Sequence, residues 1–505
     1  MTDQSHSASR RLFLQQARAF SLVGAGAPLA MGLTAASAMA ATGASDYKAL
    51  VCIFLYGGND AFNTVLASDD ESWANYTSVR NQQPESIALW RNKPADKTQT
   101  PGSPAWLGGV LPISPATVQA GRSFALHPML SDVQGMFNTT KRLAIVANVG
   151  PLAEPLKKSD YASGLKQKPK KLFSHNDQQS TWMALAPEGA TVGWGGRLAD
   201  AVVGANSNSL FTAISPSGGS VWLSGKTVQQ YQTGDAGPIR LGPAPAPNGI
   251  KWVYDSDAVG VALERIVTSS RSSHLMAVDL ADIGRRAISA EQTISAVLPS
   301  ASSAPYGPAG ALQCDALAGG KVQNPLAQQL QTVARIISAQ SKLGIKRQVF
   351  FVGLGGFDTH SQQNRSHAEL LSRLNHGLKY FDSVLSAMAL TNQVTTFTAS
   401  DFGRSFTSNG DGSDHGWGAH HMVMGGAVQG GDVHGDFPIL AKKNRANSDF
   451  DGSPDQLTNG VLLPKVSIEQ YGAPLGRWFG LSDSQLKDVF PNLSRFSGVS
   501  GFMKA

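Results

Sequence analysis

Four stretches of the chain run almost without polar interruption. KALVCIFLYGGNDAFNTV spans Lys48 to Val65, RLAIVANVG spans Arg142 to Gly150, RQVFFVGLGGFDTH spans Arg347 to His360, and QVTTFTASDFGR spans Gln393 to Arg404. Runs that stay apolar at odd and even positions alike predict strands buried on both faces, as in a parallel sheet. Between them the period changes. PLAQQLQTVARIISAQSKL (325–343) and HAELLSRLNHGLKYFDSVLSAMAL (367–390) repeat leucine and isoleucine at helical spacing, which predicts an amphipathic helix before each of the last two strands. Strand, helix, strand in this order is the doubly wound plan, whose ligands bind at the carboxyl edge of the sheet. The expected fold class is therefore α/β, a central mostly parallel sheet flanked by helices.

The polar pattern marks what interrupts this plan. Residues 81–123 are rich in Pro, Gly, Ser and Asn and read as a surface insertion. Residues 296–325, around SASSAPYGPAGA, read as a second, and GPIRLGPAPAPNGI reads as an extended loop. No internal repeat is present, and the α/β signals come from both halves. One discontinuous domain over 41–505 is expected.

Composition adds two restrictions. The chain has 505 residues, 42% hydrophobic and only 15% charged, enough for a large core with sparse surface charge. Its net charge is +6, of which Arg10, Arg11, Arg18 and Asp3 contribute two. The remainder is too small to argue for a nucleic-acid or anionic-membrane partner, and no basic stripe interleaves with aromatics. The N-terminus reads SRRLFLQ, then an apolar small-residue run from about Phe20 to Ala36, then Ala38-Met39-Ala40. Paired arginines before such a run, closed by an A-x-A site, predict a twin-arginine (Tat) signal peptide over 1–40 and a periplasmic or secreted protein. No later run reaches the roughly 18 apolar residues of a membrane helix, so no integral segment is expected after cleavage. Cys52 lies in an apolar strand pattern and reads as a buried small hydrophobe; a disulfide with Cys314 is the alternative.

Candidate chemistry gathers at the strand ends. Asp60 follows GGN, Asp358 follows GGF, and Asp401 follows TAS. Any one such acid is equally a helix cap. Three of them, with His360 two residues after Asp358 and His415 beyond a glycine loop, point to a shared polar or metal site. Carboxylates with imidazoles suit Zn, Mn or Fe, and carboxylates alone suit Mg or Ca. The glycines of TASDFGRSFTSNGDGSDHGWGAHH would let the loop after Asp401 fold back and bring His415 beside Asp358 and His360. His420 and His421 are adjacent, so in extended chain they face opposite ways and one at most is a ligand. Ser174, His175 and Asp177 open a helix in KLFSHNDQQSTW, where N–H groups favour an anion and could activate a hydroxyl; Ser174 with Asp177 also resembles a capping box. Arg404 could clamp an oxyanion or form a structural ion pair. His367 reads as a surface residue of the helix after Asp358, and His434 in GGDVHGDFP as a turn residue.

GGNDAFNT, FSHNDQQSTW, GWGGRLAD, GGFDTHSQQ, SDFGRSFTSNG, SDHGWGAHH, GGAVQGG, QYGAPLGRWFGL and FPNL stand in this order between Ala49 and Leu493. Together they resemble the secreted, Tat-exported family of domain of unknown function 1501, which is grouped with the alkaline phosphatase and sulfatase superfamily. The resemblance implies an alkaline-phosphatase-like fold and a divalent metal ion (Zn, Mn, Mg or Ca). It implies a hydrolase of phosphate or sulfate esters, acting on a small anionic ester or a polymer. Within it, Asp60 matches the acid after the first strand and Ser174 the Ser/Thr nucleophile. Asp358 and His360 resemble one Asp/His pair, Asp401 the acid of a T-A-D-H strand, and His415 the last histidine ligand. Phe402 stands where the superfamily has a histidine after that acid, a place that His175 or His420 would have to fill. The alternative is a binding or assembly protein on the same fold, including a carbohydrate binder built on exposed Trp182, Trp194 and Trp417.

Overall fold

The protein is described by a computed structural model over residues 47–239, 256–270, 273–308, 310–446, 449–498 and 501–504. The expected signal peptide lies outside the described residues, as does most of the GPIRLGPAPAPNGI loop.

The apolar runs become the strands of one large sheet: β1 (Lys48–Tyr56), β2 (Leu143–Gly150), β3 (Ala213–Ser215), β4 (Tyr231–Gln232), β5 (Arg347–Gly355), β6 (Val394–Ser400), β7 (Ala419–Met424), β8 (Val433–His434) and β9 (Val466–Ser467). They lie in the order β8-β2-β7-β6-β1-β5-β3-β4, with β9 also paired to β2. β7 runs against both its neighbours; the other pairings of this sheet are parallel. The chain returns from β6 to β7 through residues 401–418, which form a hairpin of their own and hold no crossover helix, so β7 comes back antiparallel beside β6.

Helices used below are α1 (Asp70–Arg80), α2 (His175–Ala184), α3 (Trp194–Val202), α4 (Asp257–Thr268), α5 (Leu275–Val297), α6 (Pro325–Ser338), α7 (Gln363–Ala387) and α8 (Ile468–Phe479). The alternation of a strand sends β1 side chains both ways. Val51, Ile53 and Leu55 pack in a core with α6 and α7. Leu50, Cys52 and Phe54 pack in another with α3 and α8. The sheet is thus covered on both faces, which is why its strands are apolar throughout. α6 begins where its sequence says: Asn324 accepts from the N–H groups of Leu326 and Ala327, and Pro325 occupies the first turn.

The interrupting segments carry more structure than a loop. Leu111–Ile113, inside 81–123, joins Val65–Ala67 and Phe124–Leu126 in a three-stranded sheet. Gln313–Asp315 and Lys321–Gln323 form a hairpin inside 296–325. Cys52 and Cys314 are both buried and free. Among the described residues no helix is long and apolar enough to cross a membrane.

Three expectations are corrected here. His367 is buried rather than on the surface, and its Nε2 lies 3.0 Å from the Asn59 side-chain oxygen; α7 turns that face under the β1 loop. Trp182, Trp194 and Trp417 are 2%, 1% and 0% exposed, so none offers a ring for sugar stacking. His434 lies in a short edge strand of the main sheet rather than in a turn.

Candidate metal centre

β1, β5 and β6 are neighbours, with Tyr56 opposite Gly355 and Leu55 opposite Ser400. Their carboxyl ends therefore deliver three loops to one place. Gly57 lets two of them touch: its φ is +113°, and a Cβ there would sit 2.3 Å from the Asp358 nitrogen. The third loop folds back as a hairpin, Arg404–Ser408 against Ser413–His415, with Arg404 opposite His415. Gly412 at its turn lies against His360, where a Cβ would meet the carbonyl at 2.4 Å.

Four side chains converge on this surface. An Asp358 oxygen lies 3.4 Å from His175 Nε2; its other oxygen lies 3.3 Å from His415 Nε2 and 3.0 Å from His360 Nε2. His175, Asp358 and His415 form a compact group whose ligating atoms all fall within 4.8 Å of one another. His360 borders it, with Nε2 2.9 Å from His415 Nε2 and Nδ1 3.2 Å from Asp414. The cluster is open to solvent, with Asp358 and His360 41% and 43% exposed.

The outer partners decide which atoms face inward. His415 Nδ1 is 2.7 Å from the carbonyl oxygen of Phe173. A carbonyl only accepts, so Nδ1 carries the hydrogen and Nε2 keeps its lone pair. His175 Nδ1 is 2.7 Å from an oxygen of Asp401. That carboxylate is fully buried and also accepts from Gln179 Nε2 at 2.8 Å and Gly57 N at 3.2 Å. In the neutral form both imidazoles present Nε2 lone pairs to a carboxylate, an arrangement that suits a cation between them. Donors on a tetrahedral ion with bonds near 2.05 Å lie about 3.3 Å apart; the two Asp358–imidazole separations are near that spacing but run to different oxygens of the carboxylate, and the ligating atoms spread to 4.8 Å, so the group would have to close slightly around one ion. The residues fit a divalent metal. Two nitrogens and one oxygen suit Zn or Mn better than Mg or Ca.

Charges around the cluster are uneven. The hydrogen bond that His175 donates to Asp401 raises the His175 pKa, against partial burial and with the Asp401 and Asp358 charges. Burial lowers that of His415, against the Phe173 bond. Burial works to raise Asp358, but the Arg404 hydrogen bond and charge prevail and hold it below the usual carboxylate range. Arg404 itself is buried and occupied. Nη1 donates to Asp358 at 2.6 Å, Nε to Ser413 Oγ at 3.4 Å, and Nη2 to the Ser413 carbonyl.

The remaining candidates lie elsewhere. Asp60 is fully buried in a bidentate ion pair with Arg80 at 2.5 and 3.0 Å, and accepts from Gln363 at 2.6 Å. It supports the centre from behind, because Gln363 also accepts from Ser413 Oγ at 2.6 Å. Ser174 stands at the N-cap position of α2 without the side-chain cap bond of a capping box; its hydroxyl instead donates to Asp177 at 3.0 Å. His420 is buried in β7, stacked on Phe437 at 4.4 Å with Nδ1 accepting from Asn148 N; His421 packs on the opposite side against Trp182. Phe402 fills the floor, 4.8 Å from the His175 ring and 4.6 Å from that of His415. Sequence reasoning passed over the Phe173 carbonyl, Gln179 and Arg80. The first two carry no periodic signal; Arg80 stands in a polar helix with nothing to mark it as buried.

Residues 276–490 match the family described as Protein of unknown function (DUF1501). The match supports the DUF1501 family for this chain. Its span holds Asp358, His360, Asp401, Arg404 and His415, while Phe173 and His175 lie before it. No curated protein matches the chain. Solved structures to which it is similar include "Crystal structure of Ps i-CgsB in complex with k-i-k-neocarrahexaose", at 9% identity and TM-score 0.30, over 87% of this chain and 74% of that chain. Another is "Crystal structure of Ps i-CgsB", at 11% identity and TM-score 0.29, over 89% and 77%. Likenesses at this TM-score carry no argument.

Proposed function

We propose that this chain is an exported metal-dependent hydrolase of phosphate or sulfate esters, on an alkaline-phosphatase-like plan. The observation that carries the reading is the pair of Nε2 lone pairs of His175 and His415 turned onto Asp358, with Asp401 and the Phe173 carbonyl holding the rings. Paired outer partners of this kind orient metal ligands and raise their basicity. When bound, a divalent cation supplies Lewis-acid polarisation of a phosphoryl or sulfuryl oxygen. Asp358, His175 and His415 would hold it. His360, at the solvent edge, is placed to take a proton from an attacking water or pass one to the leaving oxygen. Ser174 is engaged with Asp177, so water is favoured as the attacking group. Arg404 positions Asp358 and is already saturated. The twin-arginine pattern supports export, and the ordered motifs support the alkaline-phosphatase-like plan.

The binding-protein alternative draws on one observation: Phe402 lies under the cluster, where a second ion would need a ligand. Metal content separates the readings. The mature chain, purified without chelators or affinity metals, is expected to carry one equivalent and to hydrolyse 4-nitrophenyl phosphate or sulfate. The His175→Ala/His415→Ala protein should be folded and metal-free. No metal in either folded protein would sink the hydrolase reading; metal without turnover of any ester would favour binding.

A further inference from the structure

The chain that leads into His175 is the most basic part of the molecule. Residues 151–171 contain Lys157, Lys158, Lys166, Lys168, Lys170 and Lys171 against Glu154 and Asp160. That local excess of four positive charges compares with six for the whole chain. Phe173 and His175 follow the segment, and the Phe173 carbonyl bonds His415, so its C-terminal end abuts the metal centre.

Cavities lie on both sides of it. One, of about 620 Å³, is lined by Lys157, Lys158, Lys166 and Lys465. The other, of about 250 Å³, is lined by Lys168, Lys170 and Arg495, and by Thr181 of α2. Leu152 lines both, so they adjoin. Thr181 stands six residues along α2 from His175, about 9 Å at 1.5 Å per residue. Several lysines are pinned in place. Lys158 donates to the carbonyls of Phe450 and Ser453 at 2.7 and 3.1 Å, Lys166 pairs with Asp160 at 3.1 Å, and Lys171 pairs with Asp177 at 3.4 Å. Besides Asp160 and Asp177, the acids facing the strip are Asp455 and Asp436, at 3.0 and 4.0 Å from Lys465, and Glu469, which is buried, with its pKa raised by that burial; Lys157, Lys168 and Lys170 have no ion pair among these.

We propose that this lysine strip docks an acidic polysaccharide and leads one of its esters to the His175–Asp358–His415 cluster. The proposal rests on the hydrolase reading for the second step, but not for the first. Repeated anions suit a row of ammonium groups, and Ser159 and Gln167 along the cavities suit hydroxyls. Nucleic acid is disfavoured because base stacking needs an open aromatic face. Phe496 is the aromatic lining residue, and the ring of nearby Tyr161 is covered by Lys168 at 3.9 Å.

The test is titration of the full mature chain at low ionic strength with heparin, neutral dextran and single-stranded DNA. Heparin is expected to bind and dextran is not. Lys157→Gln/Lys168→Gln/Lys170→Gln should weaken heparin binding about tenfold or more, because each lysine lost releases fewer counterions. Lys342→Gln/Lys346→Gln/Lys379→Gln removes equal charge from exposed positions elsewhere, and should change binding by less than about twofold. Equal loss in both triple variants, or tighter binding of DNA than of heparin, would overturn the proposal, provided that thermal melts show both variants folded. The His175→Ala/His415→Ala protein should bind heparin as the unaltered chain does. Strip-dependent binding without ester turnover would fail the hydrolase reading alone. Turnover without strip-dependent binding would fail this inference alone.

Discussion

Asp60 and Asp358 end neighbouring parallel strands after the same pair of glycines, GGND and GGFD, yet their surroundings are opposite. Asp60 is fully buried, and each of its oxygens is claimed by Arg80 or Gln363. Asp358 is 41% exposed and meets one guanidinium and three imidazoles. The first carboxylate spends its charge on an internal counter-ion and holds the fold. The second faces groups that can give up a proton or share a cation, and remains open to a ligand. A strand-end acid is thus assigned its role by what packs across from it.

Breaking the internal pair should have the largest effect. Arg80→Met leaves a buried carboxylate without its counter-charge, and we expect a loss of about 3–5 kcal/mol, read as a fall in the denaturant midpoint. Asp358→Asn removes the counter-charge of the buried Arg404 but leaves an amide oxygen to accept from it, so the stability loss should be smaller, about 1–3 kcal/mol, while metal content drops. Equal destabilisation by both would erase the contrast. At the open site, His360→Ala should slow ester turnover about 10²–10⁴-fold with metal retained; unchanged turnover would remove His360 from proton transfer. Asp401→Asn tests the outer support and should weaken metal binding about 10–100-fold, measured by competition with a chelating dye. The smallest effect belongs to Asp414→Ala. Asp414 is 54% exposed and 3.2 Å from His360, and its loss should alter stability by less than about 0.5 kcal/mol, read from thermal melts.

The two acids also mark how far the chain could be read before its structure was known. The central strands and α6 and α7 were legible because burial on both faces, or on one stripe, leaves a period in the sequence. So was the return of the hairpin, through its glycines. Asp358, His360, His415 and Asp401 were picked out by their place at strand ends. Asp60 looked the same and sits in an ion pair instead. His420 looked like a ligand and is stacked on Phe437 inside the sheet. His175 reads as a catalytic group or as the replacement for the histidine absent at Phe402, and it stands among the candidate ligands, held by Asp401 226 positions away.

The sequence by itself determined the local quantities: which runs are apolar on both faces, where helices start, and which glycines permit a close approach. These depend on neighbours along the chain, and their periods survive in one dimension. Only the tertiary structure decided which acid meets Arg80 and which meets three histidines, that Phe402 floors the cluster, and that a backbone carbonyl orients His415. Those choices turn on distances between segments joined by nothing local, and proton placement on an imidazole follows from whatever atom faces its other nitrogen.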